Sequence, residues 1–361
     1  MIAEFRLLKT EIEYKQAITL ADKTFRDNEQ ISMGKAYPFV FSPELNQSYG
    51  AFVNGELVSF IGLVPSIVHI EEAEIQAYSI GAVCTHPNHR KNGYASTLLS
   101  KVFEHAELAD ASLLFVSGNL PMYMKAGCAY YGEMNKYKIQ KGELSTVEGC
   151  FVRESLPHDR FRLRKLAHSR RVHFEQSILD FTILNHAEGF ASNHKMRHKL
   201  LLAEAGNELK GFLILGVSFP SSSDSPARVI EWGGDPKAIQ ALLAESFQYG
   251  ITSIKCSFPS YEVALNRLLN NREKTVTPYP GTIKIINLEL LLKQLEPFLR
   301  GKVEIEDIDE NNKKLVFNQR SMTLDNASLE RLILQGAPDL DCYLKDIFPI
   351  PLPFPEGLNY V

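Results

Sequence analysis

At 361 residues the chain exceeds the roughly 250 to 300 over which one hydrophobic core keeps growing, so two or three domains are expected. Hydrophobic residues make up 45% and charged residues 23%, an ordinary globular composition that excludes disordered and low-complexity classes. A formal net charge of -4 and a pI near 6.2 argue against a dedicated nucleic-acid binder, and the one long basic run, Arg160 to Arg171, reads as a solvated helix face.

The N-terminal stretch has no apolar h-region and no small-residue cleavage site, so no secretory signal is expected. Leu57 to Val68 is too short for a membrane span and is interrupted by Pro65. Cys84, Cys128, Cys150, Cys256 and Cys342 are scattered without a C-x-x-C pair, which predicts a reducing cytoplasm, free thiols and no structural metal.

In chain order, the spacing of Ile12, Ala17, Ile18, Leu20, Ala21 and Phe25 predicts an amphipathic helix over 11–27. Two apolar runs flank Asn54-Gly55, a pair that tolerates positive φ at both positions and so predicts a type I′ hairpin. A strand follows over 74–85. Ala95, Leu98, Leu99, Val102, Phe103 and Ala106 then recur at three and four, predicting a helix to about Leu108, and 112–116 reads as a buried strand.

The plan recurs about 150 residues on. Two strands surround Gly206-Asn207 over 199–217, followed by a strand at 227–234, a helix at 239–250 and a strand at 251–258, which suggests a duplicated domain. The polar stretch 150–165 reads as the linker between copies. Beyond Pro278-Tyr279-Pro280-Gly281 a third segment is expected, with an amphipathic helix to Leu299 and a short helix over 327–334 stopped by Gly336. The apolar, proline-spaced tail 346–361 is unlike a frayed terminus and is expected to pack.

The chemistry concentrates in SIGAVCTHPNHRKNGYASTLLS (79–100). A helix N-terminus carries unpaired N–H groups and about half a positive charge, so it stabilises an anion. Gly93 allows a close backbone approach, Ala95 is small, and Arg90 and Lys91 add mobile charge. The segment contains neither a P-loop nor a dinucleotide G-x-G-x-x-G. Arg90-Lys91-Asn92-Gly93-Tyr94-Ala95, after a strand and opening a helix, resembles the R/Q-x-x-G-x-G/A pyrophosphate loop of the GNAT N-acetyltransferases, and Pro87 fits that family's V-x-P-x-x-R spacing.

The resemblance implies acetyl-CoA as co-substrate and no metal. Its pantetheine arm would lie on backbone groups around Val83, Cys84 and Thr85. Its diphosphate would lie on Arg90, Lys91, Asn92, Gly93, Tyr94, Ala95 and Ser96, with Asn119 also at the cofactor. Tyr123-Met124-Lys125-Ala126-Gly127-Cys128 is similar to the family's Y-x-x-x-G-F, with Cys128 in place of the aromatic residue, and implies Tyr123 as general acid toward the leaving thiolate. The acidic residues Glu71, Glu72 and Glu74 are weaker candidates for the base.

The whole chain resembles the enhanced intracellular survival (Eis) acetyltransferases, in which tandem GNAT domains precede a sterol-carrier-like domain and the terminal carboxylate enters the active site. This implies an α/β (α+β) fold of two mixed-sheet domains and a smaller α+β domain: 1–145 catalytic, 146–280 degenerate, 281–361 sterol-carrier-like. The terminal carboxylate of Val361 is then the candidate base. The second copy carries Asp235 where a phosphate would sit and lacks the loop, so one cofactor site per chain is expected.

The implied reaction is direct acetyl transfer in a ternary complex to a primary amine on a small molecule or peptide, without nucleic acid or membrane, in a chain that can form homo-oligomers. A thiol–histidine acyl-enzyme on Cys84 and His86 has no third group to orient the histidine. Peptidoglycan-type aminoacyl transfer conflicts with the intact loop, and a non-catalytic CoA-responsive binding protein is the remaining alternative.

Overall fold

The computed structural model describes residues 3–218, 225–337 and 342–361. Its first sheet starts with β1 (Ala3–Leu7), β2 (Tyr49–Val53), β3 (Glu56–Ile70), β4 (Ala73–Thr85) and β5 (Leu113–Val116), antiparallel neighbours except that β4 and β5 run parallel. α1 (Glu11–Phe25) and α2 (Met33–Ala36) lie between β1 and β2, α3 (Tyr94–Leu108) between β4 and β5, and α4 (Pro121–Lys125) after β5.

Local chemistry accounts for these elements. Thr10 caps α1 by accepting from the Glu13 amide, and Tyr14, Ala17, Leu20 and Ala21 form its buried face. Ile12 and Phe25, expected in that face, are instead 68% and 43% exposed. Asn54 and Gly55 take φ of 51° and 83°, so β2 and β3 join in the expected hairpin. α3 buries Leu98, Leu99, Val102 and Ala106 against the sheet.

The second sheet holds β6 (Glu133–Gln140) and β7 (Phe151–Glu154). After α5 (Arg160–His168), β8 (Val172–Phe174), α6 (Ile178–Ala187) and α7 (Gly189–Asn193) it continues with β9 (Met196–Ala205), β10 (Glu208–Ser218) and β11 (Ala227–Gly234). α8 (Pro236–Glu245), β12 (Ser253–Pro259), α9 (Val263–Leu268) and β13 (Thr275–Pro278) complete it, in the order β13-β6-β12-β11-β10-β9-β7. The duplicated plan is visible: β9 and β10 close on Gly206-Asn207, both at positive φ, and β11, α8 and β12 follow as β4, α3 and β5 do.

Strands cross the expected cuts at 145 and 280. β6 runs in the second sheet against β12 and β13, whereas β14 (Thr282–Ile285) pairs with β5, and β8 pairs with the far end of β3. The stretch 150–165 is not a linker, because β7 pairs with β9 and α5 packs Leu163 and Ala167 inward. Half of the basic run Arg160 to Arg171 is ion-paired: Arg162 pairs with Asp159 and Glu204, Arg171 with Glu71, and Arg170, nearly buried, with Glu231, while Arg164 and Lys165 are exposed.

The C-terminal part contains α10 (Leu288–Leu299), an antiparallel sheet of β15 (Glu304–Asp307), β16 (Asn312–Phe317) and β17 (Arg320–Asp325), and α11 (Asn326–Gln335) stopped at Gly336. One apolar cluster runs through all three sheets, from Val68 and Phe115 through Ile139 and Leu201 to Phe298 and Leu315. The tail joins it, with Ile347, Phe348, Ile350, Leu352, Phe354 and Leu358 buried. Among the described residues no helix is long and apolar enough to cross a membrane.

Candidate active site

β5 last pairs with β4 at Val116 opposite Ile80, while β4 runs on to Thr85, so its β5-facing edge is open from Gly81 onward. Along the other edge Gly62 faces Gly81 and Phe60 faces Cys84, so Ile61 opposes both Ala82 and Val83. This is a β-bulge, with Ala82 at φ 52°, and it bends the strand where the sheet opens.

The loop after β4 delivers the basic cluster to the start of α3. Lys91 and Gly93 take φ of 66° and 77°, Arg90 Nε donates to the Thr85 carbonyl at 3.3 Å, and Asn92 Nδ2 donates to the His89 carbonyl at 3.2 Å. No side chain caps the amides of the first turn, and a Cβ built on Gly93 would meet nothing within 4 Å. Glycine is therefore required there by its backbone angle, and open space adjoins uncapped N–H groups. Tyr94 packs its ring 5.7 Å from Phe5, and Ala95 is half-buried.

A cavity of about 320 Å³ adjoins the open edge of β4. Its walls include Ala82, Val83, Tyr123, Tyr37, Tyr360 and Val361. Tyr123 is 4% exposed, and burial, reinforced by the neighbouring Cys128 thiol, pushes its phenol up to about 12. Val361 packs directly on β4: a Cβ on Gly81 would lie 2.3 Å from the Val361 carbonyl carbon, so only glycine admits the terminus here.

The tail that brings Val361 in is held at several points. The Leu358 amide donates to Glu231 Oε2 at 3.0 Å, Gln176 donates to Asn359, and Tyr360 lies between the rings of Phe190 at 5.1 Å and Tyr37 at 6.1 Å. Glu231 belongs to β11, which pairs with β12 only at Ala227 and Arg228 before diverging. Trp232, at ring distances of 4.9 Å from Phe258 of β12 and 5.5 Å from Phe354, bridges the two, so the tail fills the split that corresponds to the open edge in the first sheet. α8 differs from α3 as well, since Asp235 accepts from the Lys237 amide at 2.7 Å and occupies its N-terminus.

Other residues singled out from the sequence fall outside the cavity. Cys84 is buried against α1, its thiol pushed up to about 12 by burial, which disfavours a thiolate nucleophile, and its carbonyl accepts from Ser59 Oγ of β3 at 3.1 Å, so its backbone lies on the paired edge and not the open one. Thr85 Oγ1 is 2.7 Å from Ser59 Oγ. Asn119 is exposed in the loop after β5, between the lining residues Gly118 and Leu120. Glu71 pairs with Arg171 and Lys302 at the opposite end of β4. Cys128 is buried behind Tyr123.

Part of the wall carries no signal in the sequence. Phe25 and Met33 reach it from α1 and α2, and Asn193 from the end of α7. The Tyr37 hydroxyl lies 3.0 Å from the Gly189 carbonyl and 2.9 Å from Asn193 Oδ1, tying α2 to α7. No local spacing announces residues that meet only through tertiary contact between the two copies.

Residues 4–131 match the family profile of an acetyltransferase (GNAT) domain. No protein of curated function matches the sequence. Among solved structures the chain is similar to a probable N-acyltransferase from Enterococcus faecalis, at 15% identity over 90% of this chain and 85% of that one, with a TM-score of 0.66. It is similar to a GCN5-related N-acetyltransferase from Anabaena variabilis at 13% identity, 90% and 86% coverage and a TM-score of 0.64. Eis1 from Mycobacterium abscessus shares 13% identity over 93% and 90% of the two chains, with a TM-score of 0.61. The fold of these proteins thus extends over most of the chain, and residues 4–131, which hold the opened β4 edge and the uncapped α3, form an acetyltransferase (GNAT) domain.

Proposed function

We propose that the chain transfers the acetyl group of acetyl-CoA to a primary amine by direct attack, with Val361 as base and Tyr123 as acid. The observation that supports this reading is the shared cavity beside the open edge of β4, which Tyr123 and Val361 both line. Acetyl-CoA supplies a thioester, activated toward amines. In this reading the backbone of Val83 and Thr85 extends the sheet onto its peptide-like arm. The uncapped amides of Gly93 to Ser96, flanked by Arg90 and Lys91, receive its diphosphate.

An amine with a pKa near 10 is mostly protonated at neutral pH, and the Val361 carboxylate takes that proton. The freed amine forms a bond to the thioester carbonyl carbon, and the carbon–sulfur bond then breaks as the electron pair leaves on sulfur. Tyr123 donates its proton to that sulfur, and the second proton, which the new amide nitrogen must lose, restores the Tyr123 phenol. Burial keeps the phenol protonated across the neutral range, as an acid requires. In this scheme the first sheet with α1–α4 carries the chemistry, and the second sheet, its own split filled, is the scaffold that guides the tail.

The test is release of free thiol from acetyl-CoA across a panel of aminoglycosides, polyamines, peptides and lysine-bearing proteins. A chain extended by two glycines after Val361 should lose turnover on every amine accepted by the native chain while still binding acetyl-CoA. Native rates in the extended chain would remove the terminus from its role.

A further inference from the structure

Three cations stand in one row across the second sheet. Arg228 of β11 is in register with Lys255 of β12, and Lys255 with Lys138 of β6. Two residues along β6, Lys136 lies opposite Ser257 of β12 and Thr275 of β13. β6 alternates exposed Lys136 and Lys138 with buried Tyr137 and Ile139, so both lysines share the face of Lys255 and Arg228. All four border one cavity of about 770 Å³.

This arrangement carries an electrostatic cost. Neighbouring strands are about 4.8 Å apart, and like charges directly opposite one another destabilise a sheet. Lysine is often placed on an edge strand to block pairing, but Lys255 is paired on both sides, with Arg228 and Lys138, so that purpose is absent there. Among the described residues none of the four cations makes an ion pair or side-chain hydrogen bond. The one basic neighbour with a partner, Arg272, is turned to Glu143. Three carboxylates border the same cavity: Glu143, turned to Arg272, Glu273, and Glu356 of the tail, which faces Arg228 and Lys136 and whose pKa burial raises.

We propose that this cavity is a second ligand site, which binds an oligophosphate, a small polyanion of two or more linked phosphate groups such as the chain of a nucleoside triphosphate. The row from Arg228 to Lys138 crosses two strand spacings, about 10 Å, which a linear phosphate chain can follow and a single phosphate cannot. Lysines act as point charges and Arg228 as a planar fork, the pairing that phosphate oxygens favour. The volume lies within the roughly 300 to 1,000 Å³ of small-molecule sites. No residue of α3, β4 or the Tyr123 cavity borders it, so it is distinct from the proposed acetyl-CoA site.

The test is calorimetric titration of the full chain with inorganic tripolyphosphate in the presence of saturating acetyl-CoA. One equivalent should bind, with affinity that falls as salt rises. Lys138→Glu with Lys255→Glu should weaken binding at least about tenfold, which is about 1.4 kcal/mol, and the milder Lys138→Gln with Lys255→Gln should fall between. The thermal shift produced by acetyl-CoA should be unchanged in both variants, which also reports that they fold. Equal affinity in the charge-reversed variant, orthophosphate binding as tightly as tripolyphosphate, or loss of binding when acetyl-CoA is added would each overturn the proposal.

Discussion

Replacing Gly81 by alanine probes the contact between β4 and the end of the chain. Gly81 does not have a positive φ, so alanine suits its backbone, and the added Cβ meets nothing closer than the terminus. That Cβ would stand 2.3 Å from the Val361 carbonyl carbon and 2.7 Å from its oxygen. Carbon atoms rest at about 3.5 Å or more, so the carboxyl group must withdraw by about 1 Å. A misplacement of that size in a reacting group can cost about 10²-fold in rate. The expected result is a kcat about 10²-fold lower in thiol-release assays, with the acetyl-CoA thermal shift kept and the tail still anchored at Leu358. A folded Gly81→Ala enzyme within about threefold of native kcat would refute the reasoning, because the carboxylate would then be either uninvolved or free to find its place from elsewhere.

Tyr123→Phe should lower kcat by about 10²- to 10⁴-fold with little change in KM. Because burial holds this phenol near 12, it stays protonated below that value, so native kcat should show no falling alkaline limb from Tyr123 up to about pH 10; a limb in that range that vanishes in the phenylalanine variant would contradict the assignment. Glu231→Ala leaves the nearly buried Arg170 guanidinium without its partner and the Leu358 amide without its acceptor, and should cost about 3 to 5 kcal/mol in denaturant titration. Glu231→Gln, which keeps an acceptor for Leu358, should preserve more activity than the alanine change. Burial pushes both His173 and His198 down to about 4. The unfolded chain therefore takes up protons below about pH 6.5 that the folded chain refuses, and stability present above that value should fall by roughly 1.4 kcal/mol per pH unit for each histidine down to about pH 4. Flat stability from pH 7 to pH 4.5 would count against both.

Features set by neighbouring residues were legible in the sequence. The Asn54-Gly55 turn, the span of α3 and the repeat around Gly206-Asn207 each depend on a few adjacent side chains and on the φ they permit. The open β4 edge could be anticipated from the loop that follows it. Long-range pairing left no such trace: β6 and β14 have strand patterns that fit either sheet, and only tertiary packing sends each across the expected boundary. α5 illustrates the same limit, since a run of arginines gives no sign that Arg170 will be buried against Glu231. The cavity was half legible. Tyr123 and Val361 stand in recognisable places, whereas Tyr37 and Asn193 become neighbours only because α2 meets α7.

The most direct measurement pairs thiol release with mass analysis of the amine, using native chain and Gly93→Asp in the presence of acetyl-CoA. Gly93 has φ 77° and open space beside it, so aspartate carries backbone strain but meets no clash, and it places negative charge at the α3 amides. The native chain should form one acetylated amine for each thiol released, and Gly93→Asp should form neither and show no acetyl-CoA thermal shift. Thiol release without acetylated amine, or a native rate in Gly93→Asp, would contradict the account.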